Sequence, residues 1–274
     1  LRYIMNSEAE HDKADAVTPQ LNGDIVFEHV NFGYGDVPVL RDVSFTIPKG
    51  TTFGILGGTG SGKSTLMHLM NRLYDLPKEN GRITIGGVDI ADMKGRWVRQ
   101  NIGMVLQEPF LFSRTIGENI GITKEKISLS EIREAAAIAC VDHAVMEFTN
   151  GYDTVVGERG VTLSGGQKQR AAIARMLVQK TPIMVFDDSL SAVDAQTDAM
   201  IRQALQDKLA EATVVLIAHR VTTLMQADCI KMVRPQGTYL ALNAIGSETY
   251  SATYTAMEDS VIYALPVQGE ATLT

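Results

Sequence analysis

The chain is 274 residues long with a net charge of −7, room for one large domain or one domain plus a small appendage. That acidity speaks against a nucleic-acid surface, which needs concentrated lysine and arginine, so no nucleic-acid partner is expected; a nucleotide can still be held by a few backbone amides and one lysine. No apolar run reaches the roughly 18–20 residues that span a bilayer, and Cys140 and Cys229, far apart and outside any metal-binding spacing, read as buried reduced thiols.

Residues 1–22 are polar, with Pro19 near their end, and read as a linker. From Asp24 the pattern turns strand-like, with Ile25, Phe27 and Val30, then Val43, Phe45 and Ile47, bounded by Gly33, Gly35, Pro48 and Gly50. This predicts an antiparallel edge sheet. Phe53 to Leu56 is a short apolar run that feeds a glycine-rich turn, after which Leu66, Leu69, Met70 and Leu73 fall on one face of a helix. A second helix is expected over 128–148, where Ser128 and Glu131 have capping-box spacing and the interior is rich in alanine. A third is expected over 165–179. Ile183 to Phe186 and Val214 to Ile217 are apolar without alternation, as in parallel strands covered on both faces by helices.

Two of these junctions carry chemistry. Gly57, Gly58, Thr59, Gly60, Ser61, Gly62, Lys63, Ser64 and Thr65 fit G-x-x-x-x-G-K-[ST] between a strand and a helix. Glycines there let successive N–H groups turn inward around phosphate oxygens, and the helix N-terminus adds positive potential. Lys63 is expected to reach the β- and γ-phosphates of ATP, with Thr65 closing the cradle, while the Ser64 hydroxyl ligates Mg²⁺. Asp187 and Asp188 end an apolar strand. Asp187 is placed to hold the metal; a pair of surface acids is the plainer alternative.

The string Leu163, Ser164, Gly165, Gly166, Gln167, followed by Lys168, Gln169 and Arg170, resembles the signature motif of the ABC ATPase family. The resemblance covers about residues 20–232. It implies an α/β fold: a P-loop NTPase core with a mixed sheet, an antiparallel β subdomain and an α-helical signature subdomain, spanning 23–233. In that family Ser164, Gly165, Gly166 and Gln167 would close over ATP held by an opposite subunit. Tyr34 matches the aromatic that stacks on adenine, Gln107 the residue that senses Mg²⁺ and the attacking water, and His219 the histidine that contacts the γ-phosphate. Ser191 to Asp194 looks like the loop that crosses the dimer interface. His11, His29, His68 and His143 match nothing. The stretch from Gln107 through Phe112 to Asn119 and Ile120, and the run Gly157 to Gly160, are similar to ABC exporters, where the latter touches the membrane domain. The implied partners are therefore an exporter's transmembrane domain, expected ahead of a chain that begins at Leu1, and a second nucleotide-binding domain. The implied location is the cytoplasmic face of the cell membrane.

Two departures from the family pattern matter. Asp188 stands where active members carry glutamate as catalytic base, and its side chain is one methylene shorter, so this chain's own site is expected to hydrolyse ATP poorly. With an intact signature, that fits one half of a heterodimeric exporter. The alternative is a nucleotide-gated regulator or an ABC ATPase not coupled to transport. Beyond Val233 the family's usual continuation is missing; alternation over 234–274 predicts a small β-rich appendage of two or three strands. It faintly resembles a cyclic-nucleotide-binding barrel, but Tyr250 sits where that family's arginine is expected.

Overall fold

The computed structural model describes residues 10–157, 163–188, 212–218, 227–233 and 239–243, together with single positions 197, 200, 201, 204 and 224. The strands are β1 (Ile25–Tyr34), β2 (Val37–Ile47), β3 (Thr52–Gly57), β4 (Arg82–Ile85), β5 (Val88–Asp89), β6 (Ile102–Val105), β7 (Ile183–Asp187), β8 (Thr213–Ala218), β9 (Cys229–Val233) and β10 (Tyr239–Asn243). The helices are α1 (Lys63–Met70), α2 (Gly95–Asn101), α3 (Ile116–Gly121), α4 (Leu129–Ile138), α5 (Asp142–Met146) and α6 (Gly165–Gln179).

Alternation in the first strands produces the expected antiparallel sheet, in the order β2-β1-β4-β5. Ile25 faces Ile47 and Phe27 faces Phe45 across the β1–β2 ladder. The Phe27 and Phe45 rings stack at 4.4 Å, and Phe45 in turn stacks on Phe53 at 5.7 Å, joining this sheet to the next. The second sheet has the order β10-β9-β3-β8-β7-β6 and is parallel except for the β9–β10 pair.

The unalternating runs are explained by burial on both sides. Ile183 and Val185 of β7 enter a core with the antiparallel sheet and α1, alongside Val215 and Ile217 of β8. Met184 and Phe186, with Val214 and Leu216, enter a second core with α3, α4 and α6. One sheet thus serves as a wall between two apolar cores.

Two helices stop earlier than their periodicity suggests, for the same reason. Helix α4 ends at Ile138 because Cys140 turns left-handed (φ 54°), with Cys140 N donating to Ala137 O at 3.0 Å and Val141 N to Ala136 O at 2.8 Å. This is a Schellman closure, which usually announces itself with glycine. A separate short helix, α5, then follows, its Asp142 accepting from Arg133 and from the Tyr152 hydroxyl. The Cys140 thiol is outside any disulfide and half-buried, less enclosed than its sequence suggested. Helix α1 closes likewise on Arg72 (φ 49°), so Leu73 is exposed instead of continuing the buried face.

Residues 10–22 lie against the body. Glu10 pairs with Arg99 at 2.6 Å, Asp12 accepts from Gly95 N at 2.8 Å and pairs with Arg72, and Leu21 is buried. Trp97 Nε1 donates to Pro19 O at 2.8 Å. Among the described residues no helix is long and apolar enough to cross a membrane.

Candidate functional site

β3 lies between β8 and β9 and ends at Gly57, where the glycine loop begins. Gly60 (φ 78°) and the helix N-cap Gly62 (φ 92°) are left-handed, and a Cβ on Gly62 would meet Leu40 Cδ2 of β2 at 2.6 Å. Glycine at 62 is thus required twice, by backbone sign and by the approach of the hairpin. Lys63 is only 5% exposed. Its Nζ donates to Gly57 O at 2.7 Å and Gly58 O at 2.8 Å, with Ser61 Oγ at 3.4 Å. Burial pushes its pKa below the ordinary lysine range, while the charges of Asp187 and Asp188 pull the other way. The cation is therefore held by the loop that a phosphate would fill.

Asp187 closes β7, one strand beyond β8. Ser64 Oγ donates to Asp187 Oδ2 at 2.8 Å. Neighbouring octahedral ligands of Mg²⁺, each about 2.1 Å from the metal, stand about 3 Å apart, so this oxygen pair fits the ion without rearrangement. Among the described residues no group of three or more His, Cys, Asp and Glu gathers anywhere. Mg²⁺ takes one or two protein oxygens and completes its shell with phosphate and water. Asp188 follows with φ 44° and its N–H donating to Ile217 O at 2.9 Å. Gln107 is exposed on the segment after β6. Tyr34, 41% exposed, stands at the end of β1 with its hydroxyl 3.2 Å from Thr65 Oγ1. Tyr34, Lys63, Ser64, Thr65, Asp187 and Asp188 are thus brought together at one end of the parallel sheet.

The signature residues belong to the other layer. Leu163 is buried in the helical core, and Ser164 caps α6 reciprocally with Gln167: Gln167 N donates to Ser164 Oγ at 3.2 Å and Ser164 N to Gln167 Oε1 at 2.9 Å. Nothing lies within 4 Å of a Cβ placed on Gly165, so its neighbourhood is open for an approaching ligand.

Sequence reasoning missed three residues that tie this helix to the segment after β6. Gln169, 1% exposed, donates to Leu106 O at 3.1 Å, next to Gln107. Arg175 donates to Asn119 O at 2.8 Å, Phe110 O at 2.9 Å and Asn119 Oδ1 at 3.1 Å, and lies 5.9 Å from the Phe112 ring centre. Asn119, itself buried, donates to the carbonyls of Phe112, Arg114 and Thr115 and accepts from Phe112 N. The result is a pinned loop that presents Phe110 (63% exposed) and Phe112 (43% exposed) to the surface. The available signal was a single arginine inside the apolar, alanine-rich run of α6. Burial also pushes the Arg175 pKa down. Arg175→Ala leaves several carbonyls unpaired and should cost about 2–3 kcal/mol in urea unfolding, and Arg175→Lys should recover little because a point charge cannot span the same acceptors.

His219, Ser191 to Asp194 and Glu158 to Gly160 lie outside the described residues, although β8 ends one residue before His219. Of the C-terminal stretch, β10 is described, antiparallel to β9, and residues 244–274 lie outside.

A buried lysine parked on the carbonyls of a glycine turn, with a serine already bridged to a strand-end aspartate, is arranged to receive a polyphosphate and its cation, which is the defining property of P-loop nucleoside triphosphatases. Within that class residues 40–191 match the ABC transporter family, and the chain belongs to it as an ATP-binding, ATPase domain. It is 43% identical over 232 residues to the ABC transporter ATP-binding protein YfiB of Bacillus subtilis (strain 168), covering 84% of this chain and 40% of that protein. It is 41% identical over 229 residues to the exotoxin translocation ATP-binding protein PaxB of Pasteurella aerogenes, covering 83% and 32%. A bacterial Atm1-family ABC exporter with ATP bound superposes with a TM-score of 0.82 at 38% identity, over 86% of this chain and 41% of that one. The chain thus spans about two fifths or less of the length of each of these relatives.

Proposed function

We propose that this chain is the ATP-driven motor of an exporter, working at the cytoplasmic face of a membrane on a transmembrane domain, and that it pairs with a non-identical second ATP-binding domain. The observation that carries the pairing is the contrast between the two ends of its chemistry. The signature serine and glycines are fully formed at the head of α6, whereas Asp188 puts a short carboxylate where the attacking water needs a base. In a sandwich of two such domains each signature completes the partner's site, so this chain would serve a competent site across the interface better than its own.

In its own site Tyr34 stacks on adenine and Lys63 holds the β- and γ-phosphates. Ser64 and Asp187 hold Mg²⁺, which supplies charge neutralisation on the phosphates when bound. Gln107 and His219 orient water and the γ-phosphate. The pinned loop bearing Phe110 and Phe112 gives the membrane domain an apolar hold, which supports coupling to transport.

The test is ATP turnover in the full-length protein, alone and assembled with its partner. The assembly should hydrolyse ATP far faster than this chain alone. Ser164→Arg should silence it, whereas Asp188→Asn should barely change it. Brisk hydrolysis by this chain alone, indifferent to Asp188→Asn, would overturn the pairing.

A further inference from the structure

The segment just after α1 holds an aromatic residue that the nucleotide site does not yet use. Helix α1 ends in a Schellman closure, with Arg72 N donating to Leu69 O and Leu73 N to His68 O, both at 2.9 Å. The left-handed position is Arg72, not glycine. Its strain is offset by a guanidinium that is 6% exposed, pairs with Asp12 and Asp75 at 3.3 Å and donates to Met93 O. The reversal sends Tyr74 back beside the end of β1. There it meets Tyr34 with ring centres 5.2 Å apart and planes at 76°, and Phe32 at 5.7 Å. Phe32 meets Tyr34 edge-on at 5.3 Å and 89°.

These separations and angles are those of favourable aromatic contacts. Together with the Tyr34 hydroxyl at Thr65 Oγ1, they fix the Tyr34 ring at its tip and along its sides. A tyrosine at the end of a hairpin otherwise turns about two side-chain bonds, and a flat ligand that stacks on it must freeze that motion. A ring already held loses nothing more.

We infer that Tyr74 is a positioning residue for the nucleobase, holding the Tyr34 ring edge-on between itself and Phe32 so that its exposed face is set before ATP arrives. The inference rests on the reading of Tyr34 as the adenine platform. It makes the C-terminal end of the phosphate helix part of base recognition: the N-terminus of α1 meets phosphate, and the turn after its C-terminus braces the ring under the base. A phosphate chain without a base never touches this brace.

The test measures dissociation constants of ATP and of inorganic tripolyphosphate, both with Mg²⁺, for the full-length protein and for Tyr74→Ala, Tyr74→Phe and Tyr34→Ala. Tyr74→Ala should weaken ATP about three- to tenfold, the worth of an aromatic pair, and leave tripolyphosphate unchanged. Tyr74→Phe, which keeps the ring, should bind ATP like the parent. If Tyr74→Ala weakens both ligands equally, Tyr74 merely supports the cradle and the inference fails. If Tyr34→Ala weakens ATP but Tyr74→Ala does not, the platform stands and the brace is wrong. If neither weakens ATP, the platform reading fails and takes the brace with it.

Discussion

Replacing Lys63 with alanine should lower ATP turnover at this chain's own site by about a hundredfold or more, the usual cost of deleting a preorganised donor aimed at transferring phosphate. The structure makes this lysine more than a surface cation, since it is almost fully enclosed and donates to two backbone carbonyls of the loop it must later release. Nucleotide binding exchanges those carbonyls for phosphate oxygens, a gain for a desolvated ammonium. Lys63→Arg should fail almost as badly, because the wider guanidinium cannot enter the space behind Gly57 and Gly58. Thermal unfolding without nucleotide provides the control. Losing the lysine relieves a desolvated charge but leaves two loop carbonyls without their donor, so the two effects oppose and the melting temperature should move little. A large fall in melting temperature would instead mean that the lysine holds the loop together.

The second expected result has the opposite sign. Asp188→Glu should raise turnover at this chain's own site by about tenfold or more, since one added carbon–carbon bond of about 1.5 Å carries the carboxylate toward the attacking water. The backbone adds a discriminating detail. Asp188 is left-handed, a conformation in which aspartate is enriched and longer side chains are not. The glutamate variant should therefore gain activity while losing about 1 kcal/mol of stability, measured by urea unfolding beside the turnover assay. Activity and stability moving apart would show that reach, not general tightening, limits the parent. No gain in turnover would mean that Asp188 already suffices as the base.

Much of the phosphate end was legible because its chemistry is local. Gly57 to Thr65 lie in one continuous run between a strand and a helix, so the pattern can be read before its remote partners are known. The strands of the wall were legible because double burial removes alternation. Helix ends were less so. At Cys140 and Arg72 a non-glycine residue takes the left-handed position, and for Arg72 the compensation comes from partners remote in sequence, such as Met93. The Arg175–Asn119 clamp was illegible for a related reason. Its acceptors are mostly main-chain carbonyls, which carry no residue signature, and the donor lies more than fifty positions away. Tyr74 escaped because edge contacts between rings have no sequence spacing at all.

The central sheet has a consequence for how such a chain changes over generations. Strands β3, β6, β7 and β8 each have two clients: in β7, Ile183 and Val185 answer to the layer that carries the lysine loop, and Met184 and Phe186 to the layer that carries the signature. A substitution at one parity is felt on one side and shielded from the other by the backbone between them. The two chemical halves can therefore drift at separate rates on a shared partition, so a carboxylate can shorten at one end while the signature at the other end stays intact.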